Sequence, residues 1–390
     1  MGDRWRSGMR ILYTSYFDSK RISQYYSGLG YYIGRSLEMA GNSVSWLCPL
    51  EYRFRLPFKG LEWLSGRWGL RRYTALRESV VVRHFANQVT LAWRTGQYDV
   101  IVGGTPELCE VPPNLPTALW ADGTFSSVTR LYPAFQNDCR RSKNNGERAE
   151  RLVLARCRAA IYSNAWGAKS AVNDYGIRRD KVFIVPYGAN FDAKLTESDL
   201  QILLENRRRG PVRLLFVGVD WSRKGGEIAV SAVRELRKQI PSAVLTVVGC
   251  NPVLPAEDRE FCEVKGVLRK SQPEELRQLI EIYQKASAFI LPTRADCAPV
   301  AFAEACGFGL PCFGTSVGGV ATLVRDGYNG CLLPVEARAS VWADAMANVF
   351  EKPEVYNRYS ECAYNLWRRE LNWEAAGARV TEVLRSMVSQ

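Results

Sequence analysis

The segment RADCAPVAFAEACG, Arg294 to Gly307, sets two carboxylates eight positions apart, Asp296 and Glu304, around the proline that opens an apolar helix. Carboxylates are costly to bury unless something pairs with them, so either the fold or a ligand must supply the partner. Pro299 suits a first helical turn, where its missing N–H would be unbonded anyway. The free N–H groups of that turn, including those of Ala298, Val300 and Ala301, make the helix end an anion site. Glu304 lies about 7.5 Å further along the axis and leans back toward the N-terminus. An anionic group at the helix end, with hydroxyl-bearing groups near Asp296 and Glu304, would satisfy all these features, and a nucleoside diphosphate sugar has that layout. The plainer alternative is that Asp296 caps the helix and Glu304 pairs with a nearby Arg or Lys.

A second segment, LLFVGVDWSRKGGEIAVSAV, places Gly218 at a strand end and Arg223, Lys224, Gly225 and Gly226 before the next helix. Glycine admits close backbone approach to a ligand, and lysine can neutralise phosphate. On its own, RKGG reads as a solvated turn. In the first half, YYSGLGYYIG contains Gly28, Gly30 and Gly34 but stands well beyond the strand RILYTSY. A dinucleotide fingerprint follows its strand directly, which excludes a nicotinamide site there. The strand PTALWA ends at Asp122-Gly123, a common turn pair. His84, the single histidine, lies in a helical pattern and reads as structural.

The elements around these residues alternate apolar strands and helices in two runs separated by a polar interval that ends in RRRGP. That pattern predicts an α/β protein of two doubly wound Rossmann-like domains. The divisions are residues 1–190, a linker over 191–211 carrying one helix, 212–370, and a C-terminal helix over 371–390 that packs back toward the first domain. Two such domains favour a ligand held between the carboxyl ends of their sheets.

The formal charge is +12. Residues 1–200 hold 28 Lys and Arg against 18 Asp and Glu, so the basic excess lies there and suits an anionic partner. Within 51–83, eight Arg and Lys against three acids interleave with Trp63, Trp68 and further aromatics. Such a segment fits the surface of an anionic membrane or an acidic acceptor, or else a loop that merely packs its aromatics. No nucleic-acid module accompanies the charge. Eleven cysteines without a C-x-x-C pair, and one histidine, leave no zinc cluster and read as a reduced, cytoplasmic chain. There is no signal-like leader and no span of membrane-crossing length, so any membrane contact is expected to be peripheral.

The stretch PTRADCAPVAFAEACGFGLPCFGTSVGGVATLVRDGYNGCLLP resembles the donor-binding region of family 4 retaining GT-B glycosyltransferases, whose signature is a Glu, seven residues, then Glu. Asp296 stands in the place of the first acid. The resemblance implies that Asp296 faces the transferred sugar and Glu304 the donor ribose, and that Gly318 and Gly319 shape the next loop. Lys224 would contact the donor diphosphate. Val219 replaces the family's usual arginine, and Arg223 is the candidate second cation. The backbone near Leu268 would contact the nucleobase, and Gly28 would lie over the donor phosphates. Asp122, in a subset with WADATF-like sequences, stands where many members carry a histidine facing the reacting sugar. There it could bond a sugar hydroxyl or stabilise positive charge at the anomeric carbon.

The expected protein is therefore a GT-B transferase with its domains facing each other across a cleft. It would use a UDP- or GDP-sugar, with no metal and no cofactor, and act on a glycan or lipid-linked acceptor in polysaccharide, lipopolysaccharide or glycolipid assembly. A nucleotide-sugar epimerase and a catalytically silent nucleotide-binding assembly partner are the alternatives.

Overall fold

A computed structural model describes residues 8–20, 28–52, 55–67, 71–191 and 195–389, without the side chains of 55–57 and 66–67. The chain divides into two compact units: residues 1–186 with 376–390, and residues 187–375.

The first unit holds strands β1 (Arg10–Thr14), β2 (Ser43–Leu47), β3 (Val100–Gly103), β4 (Thr117–Ala121), β5 (Ala159–Tyr162) and β6 (Val182–Ile184). They form one sheet in the order β2-β1-β3-β4-β5-β6, every neighbouring pair parallel. β3 and β5 are buried at every position, the reason they read as unbroken apolar runs. Helices such as Ser79–Thr95 and Arg140–Arg156 cover the sheet, burying Phe85 and Val89 from one and Val153 and Leu154 from the other. From Ala376 onward the final helix also belongs here. Asn42 Nδ2 donates to Thr381 Oγ1 at 2.7 Å, and a Cβ on Gly377 would stand 2.0 Å from the Ser36 carbonyl oxygen.

The second unit holds β7 (Arg213–Val217), β8 (Val244–Val248), β9 (Cys262–Gly266), β10 (Ala288–Leu291), β11 (Cys312–Thr315) and β12 (Gly330–Leu333). Their order is β12-β11-β10-β7-β8-β9, again all parallel. The order reverses between β10 and β7, so the loops leaving those two strands diverge above a crevice, the usual ligand position in an open α/β sheet. β9 and β12 form the two edges of the sheet. Glu263 and Val264 of β9 are exposed, and its mixed sequence CEVKG carries no apolar signal.

Two sequence boundaries differ from the structure. The polar interval at 191–211 is not a free linker, because it falls within the second unit. Its helix Glu197–Arg209 puts Leu200 and Leu204 into that unit's core and buries Arg207, whose guanidinium donates to the carbonyls of Tyr283, Gln284, Phe308 and Gly309. The second boundary is the helix start. Pro299 sits one place ahead of the first turn, with φ −73° and ψ 89°, and the helix runs Val300–Gly307. The Phe302 N–H bonds the Pro299 carbonyl at 2.9 Å, which closes the turn early.

Candidate functional site in the second unit

The crevice between β7 and β10 gathers most of the residues singled out in the sequence. Gly218 directly follows β7, and its N–H bonds the Val248 carbonyl at 2.9 Å. A Cβ there would lie 3.0 Å from Lys224 Cγ, so a side chain would displace the lysine. The loop returns on itself, Arg223 N–H donating to Asp220 Oδ1 at 3.1 Å and Lys224 N–H to the Asp220 carbonyl at 2.9 Å. Gly225 ends the loop in the left-handed region at φ 75°, before the helix Gly226–Leu236. A Cβ there would meet the Pro292 carbonyl oxygen at 2.0 Å. Two features thus demand glycine, the backbone conformation and the close approach.

That approach joins the two loops. Arg294 N–H donates to the Arg223 carbonyl at 2.8 Å, and Arg223 Nη1 reaches the Ala295 carbonyl at 2.8 Å. Between the strands Asp296 is only 6% exposed. Its Oδ2 pairs with Lys224 Nζ and lies 3.7 Å from Arg223 Nη1. Asp296 therefore serves two cations and does not cap the helix, which has no side-chain cap at all. Arg223 Nε also pairs with Asp220 Oδ2 at 3.1 Å, so two cations and two carboxylates face one another here, and a polyanion would have to compete with both acids for the cations. Beyond Asp296, Ala298 is half-buried ahead of the helix, Pro299 is its N-cap, and Val300 and Ala301 begin it. The Gly319 N–H bonds the Asp296 carbonyl at 3.1 Å and Gly318 has φ 54°, so the Gly318-Gly319 turn closes against the same segment.

Glu304 is 2% exposed on the Val300–Gly307 helix. The fold supplies its partners: Tyr283 Oη donates to Oε2 at 2.9 Å, and Lys270 Nζ pairs with Oε1. Desolvation and the Glu304 charge push the Tyr283 hydroxyl well above its ordinary pKa, so it remains a donor. Lys270 follows β9 in the loop that also carries Leu268, which packs partly buried against the core. Neither Lys270 nor Tyr283 was singled out in the sequence. The available signal was that a Glu in VAFAEACGF requires a cation, and VLRKS offers two in the loop leaving β9.

The first unit holds the remaining candidates. Gly28 is the N-cap of the helix Leu29–Met39, with φ 84°; residues 21–27 of the loop before it lie outside the described residues. Asp122 is half-buried after β4, and its carbonyl accepts a 2.7 Å bond from Asn164 Nδ2. His84 is half-buried in the helix Ser79–Thr95. The basic-aromatic segment 51–83 is described in part, Trp68 lying outside; its helix Arg55–Arg67 exposes Leu61, Trp63 (57%) and Leu64. Among the described residues, no helix is long and apolar enough to cross a membrane, and no three His, Cys, Asp or Glu residues group so as to hold a metal ion.

The family-model match falls on this second unit. Residues 204–366 match the family model of glycosyl transferases group 1. The match covers less than half of the chain. The chain is similar to D-inositol 3-phosphate glycosyltransferase of Xylanimonas cellulosilytica, 26% identical over 244 residues, covering 60% of this chain and 58% of the relative. The same-named protein of Nocardia farcinica is 26% identical over 215 residues, covering 51% of this chain and 46% of the relative. The matches thus span about half the length of these relatives. Among solved structures, sucrose-phosphate synthase from Thermosynechococcus elongatus superposes with a TM-score of 0.68 at 16% identity, over 97% of this chain and 99% of that one. Anabaena HepE, solved in complex with UDP, gives 0.64 at 15% identity over 97% and 100%. WaaG, a glycosyltransferase involved in lipopolysaccharide biosynthesis, gives 0.60 at 15% over 96% and 99%. At these identities the likeness is one of fold, the two-unit α/β fold of the GT-B type.

Proposed function

We propose that the chain is a retaining, metal-independent glycosyltransferase of family 4 that moves a sugar from a UDP- or GDP-sugar to a hydroxyl acceptor. The carrying observation is the meeting of Lys224, Arg223 and Asp296 at the β7/β10 crevice, beside the start of the Val300–Gly307 helix. A diphosphate would compete with Asp296 for Lys224 and Arg223, and the amides of Val300 and Ala301 add donors to it. Asp296, released from Lys224, would then bond the transferred sugar, and Glu304 the ribose. The two cations offset the diphosphate charge, the task a metal performs elsewhere. The acceptor hydroxyl would attack from the face the diphosphate leaves, and the leaving group would take its proton. The protein's part is orientation and charge stabilisation. Asp122 and Gly28 keep the roles that the resemblance implies.

Relatives named as glycosyltransferases, and a neighbour solved with UDP and with UDP and glucose, support the donor class. WaaG's part in lipopolysaccharide biosynthesis supports an acceptor in polysaccharide, lipopolysaccharide or glycolipid assembly. The exposed Leu61, Trp63 and Leu64 support peripheral contact with an anionic membrane at the cytoplasmic face.

A thermal-shift screen against UDP-, GDP-, ADP- and dTDP-sugars, followed by product analysis with and without acceptors, tests the reading. A UDP- or GDP-sugar should raise the melting midpoint, and sustained turnover should need an acceptor and keep the anomeric configuration. A changed nucleotide sugar formed without acceptor would mean an epimerase. Binding without turnover on any acceptor would mean a silent assembly partner.

A further inference from the structure

We infer that Lys270 is a positioning residue for ribose recognition, acting through Glu304; the inference rests on the nucleotide-sugar reading above. Lys270 is held from two sides. Its ammonium pairs with Glu304 Oε1 and stands 5.7 Å from the centre of the Phe191 ring, within cation–π range. Phe191 is itself fixed, with ring centres 5.7 Å from Tyr283 and 5.4 Å from Phe308. Tyr283, fully buried, holds the other carboxylate oxygen at 2.9 Å. Glu304 is thus gripped at both oxygens by groups from separate elements, the loop after β9 and the helix Pro273–Lys285.

The acceptor arithmetic identifies the ligand class. A carboxylate offers about four lone-pair sites. Tyr283 and Lys270 occupy two, and the two left match the two hydroxyls of a cis-diol such as a ribose. With the lysine side chain 20% exposed and Glu304 at 3%, the lysine marks the side from which a ligand approaches the carboxylate. Without its ammonium, Glu304 keeps one anchor and can turn about Tyr283, so the diol loses a fixed acceptor pair. A ribonucleotide should suffer from that, and a 2′,3′-dideoxynucleotide, which offers neither hydroxyl, should not.

Isothermal titration of UDP, GDP and ADP, and of their 2′,3′-dideoxy forms (the deoxy-forms), into the full chain and its K270M, K270R, E304Q and K270M/E304Q variants tests this. The wild type should favour the ribo-form of its nucleotide by roughly ten- to hundredfold, the range for hydrogen bonds to a charged group. K270M should reduce that ratio to within about threefold of unity while leaving the deoxy-form affinity in place, and K270R should restore it. In the E304Q background, K270M should add almost nothing, because the two act as one unit. Equal loss of ribo- and deoxy-forms in K270M would overturn the inference and make Lys270 a phosphate or base contact. Tighter ribonucleotide binding by K270M would also overturn it, leaving the lysine a competitor of the ribose. If the wild type bound none of the nucleotides, the glycosyl-transfer reading would fall, and this inference with it. A K270M variant that binds the deoxy-form normally is folded, so the ratio remains readable.

Discussion

Lys224 Nζ is paired with Asp296 Oδ2, across the crevice from the loop after β7 to the loop after β10. The cation and the acid that the resemblance assigns to different groups of one ligand are therefore partners of each other. On the proposed reading, diphosphate and sugar recognition would share a charge, and binding of one group should alter the availability of the other.

Lys224→Ala removes one of the two cations facing Asp296. Affinity for the nucleotide-sugar donor and for free nucleoside diphosphate should fall together, by roughly ten- to hundredfold in calorimetric titration. Unchanged affinity for both would refute a phosphate role.

The two acids should separate in kinetics. Glu304→Ala should weaken nucleoside diphosphate binding by tenfold or more, about the worth of a charged hydrogen bond. Asp296→Ala should leave that binding within a few-fold and lower the transfer rate by about a hundredfold, since its proposed contact is with the reacting sugar. Full transfer activity in both variants would show that the carboxylates were misassigned.

Gly225→Ala tests the joint between the loops. Its φ of 75° and the 2.0 Å approach of a Cβ to the Pro292 carbonyl leave no room for a methyl group. Urea denaturation should show a loss of about 1–3 kcal/mol from strain, and nucleotide affinity should fall with it. A variant as stable and as tight-binding as wild type would mean the loops can part without consequence.

Two acids in the first unit should make stability fall toward alkaline pH. Burial pushes the Glu107 and Glu150 carboxyl groups up to about 7, from an ordinary value of 4.5. Glu107 Oε1 accepts the Tyr16 N–H at 3.0 Å and Glu150 Oε2 the Thr105 hydroxyl at 2.9 Å, while each second oxygen is buried without a hydrogen-bond partner among the described residues. Between pH 4.5 and 7 the folded chain keeps protons that the unfolded chain has released. Their contribution is full below 4.5 and is lost as pH rises through about 7. Glu150→Gln should therefore gain on wild type between pH 5 and pH 8, by on the order of a few kcal/mol in urea melts. A constant difference across that range would refute the shift.

The fold class was legible because central parallel strands are buried on both faces and show as apolar runs; VIVG and AAIY needed no context. β9 escaped because Glu263 and Lys265 interrupt its apolar residues. Lys224 and Asp296 could be named in advance, since each sits in a motif with its own local spacing. Their pairing could not, because 72 residues separate them in sequence. Lys270 was hidden for the same reason. The polar interval before β7 looked like a connector because its arginines and glutamates outnumber its leucines, yet one face of that helix is apolar and reaches the core.

Arg207 gives that helix an unusual kind of moor. The guanidinium is buried, which draws its pKa below the ordinary value, and the bonds that hold it run to four backbone carbonyls at the ends of the helices carrying Tyr283 and Glu304. Carbonyls do not titrate, and arginine keeps its proton at any pH a cell meets. Acidification that neutralises the chain's carboxylates leaves this attachment unaltered, so the scaffold beneath the β7/β10 crevice should outlast its ion pairs as the medium sours.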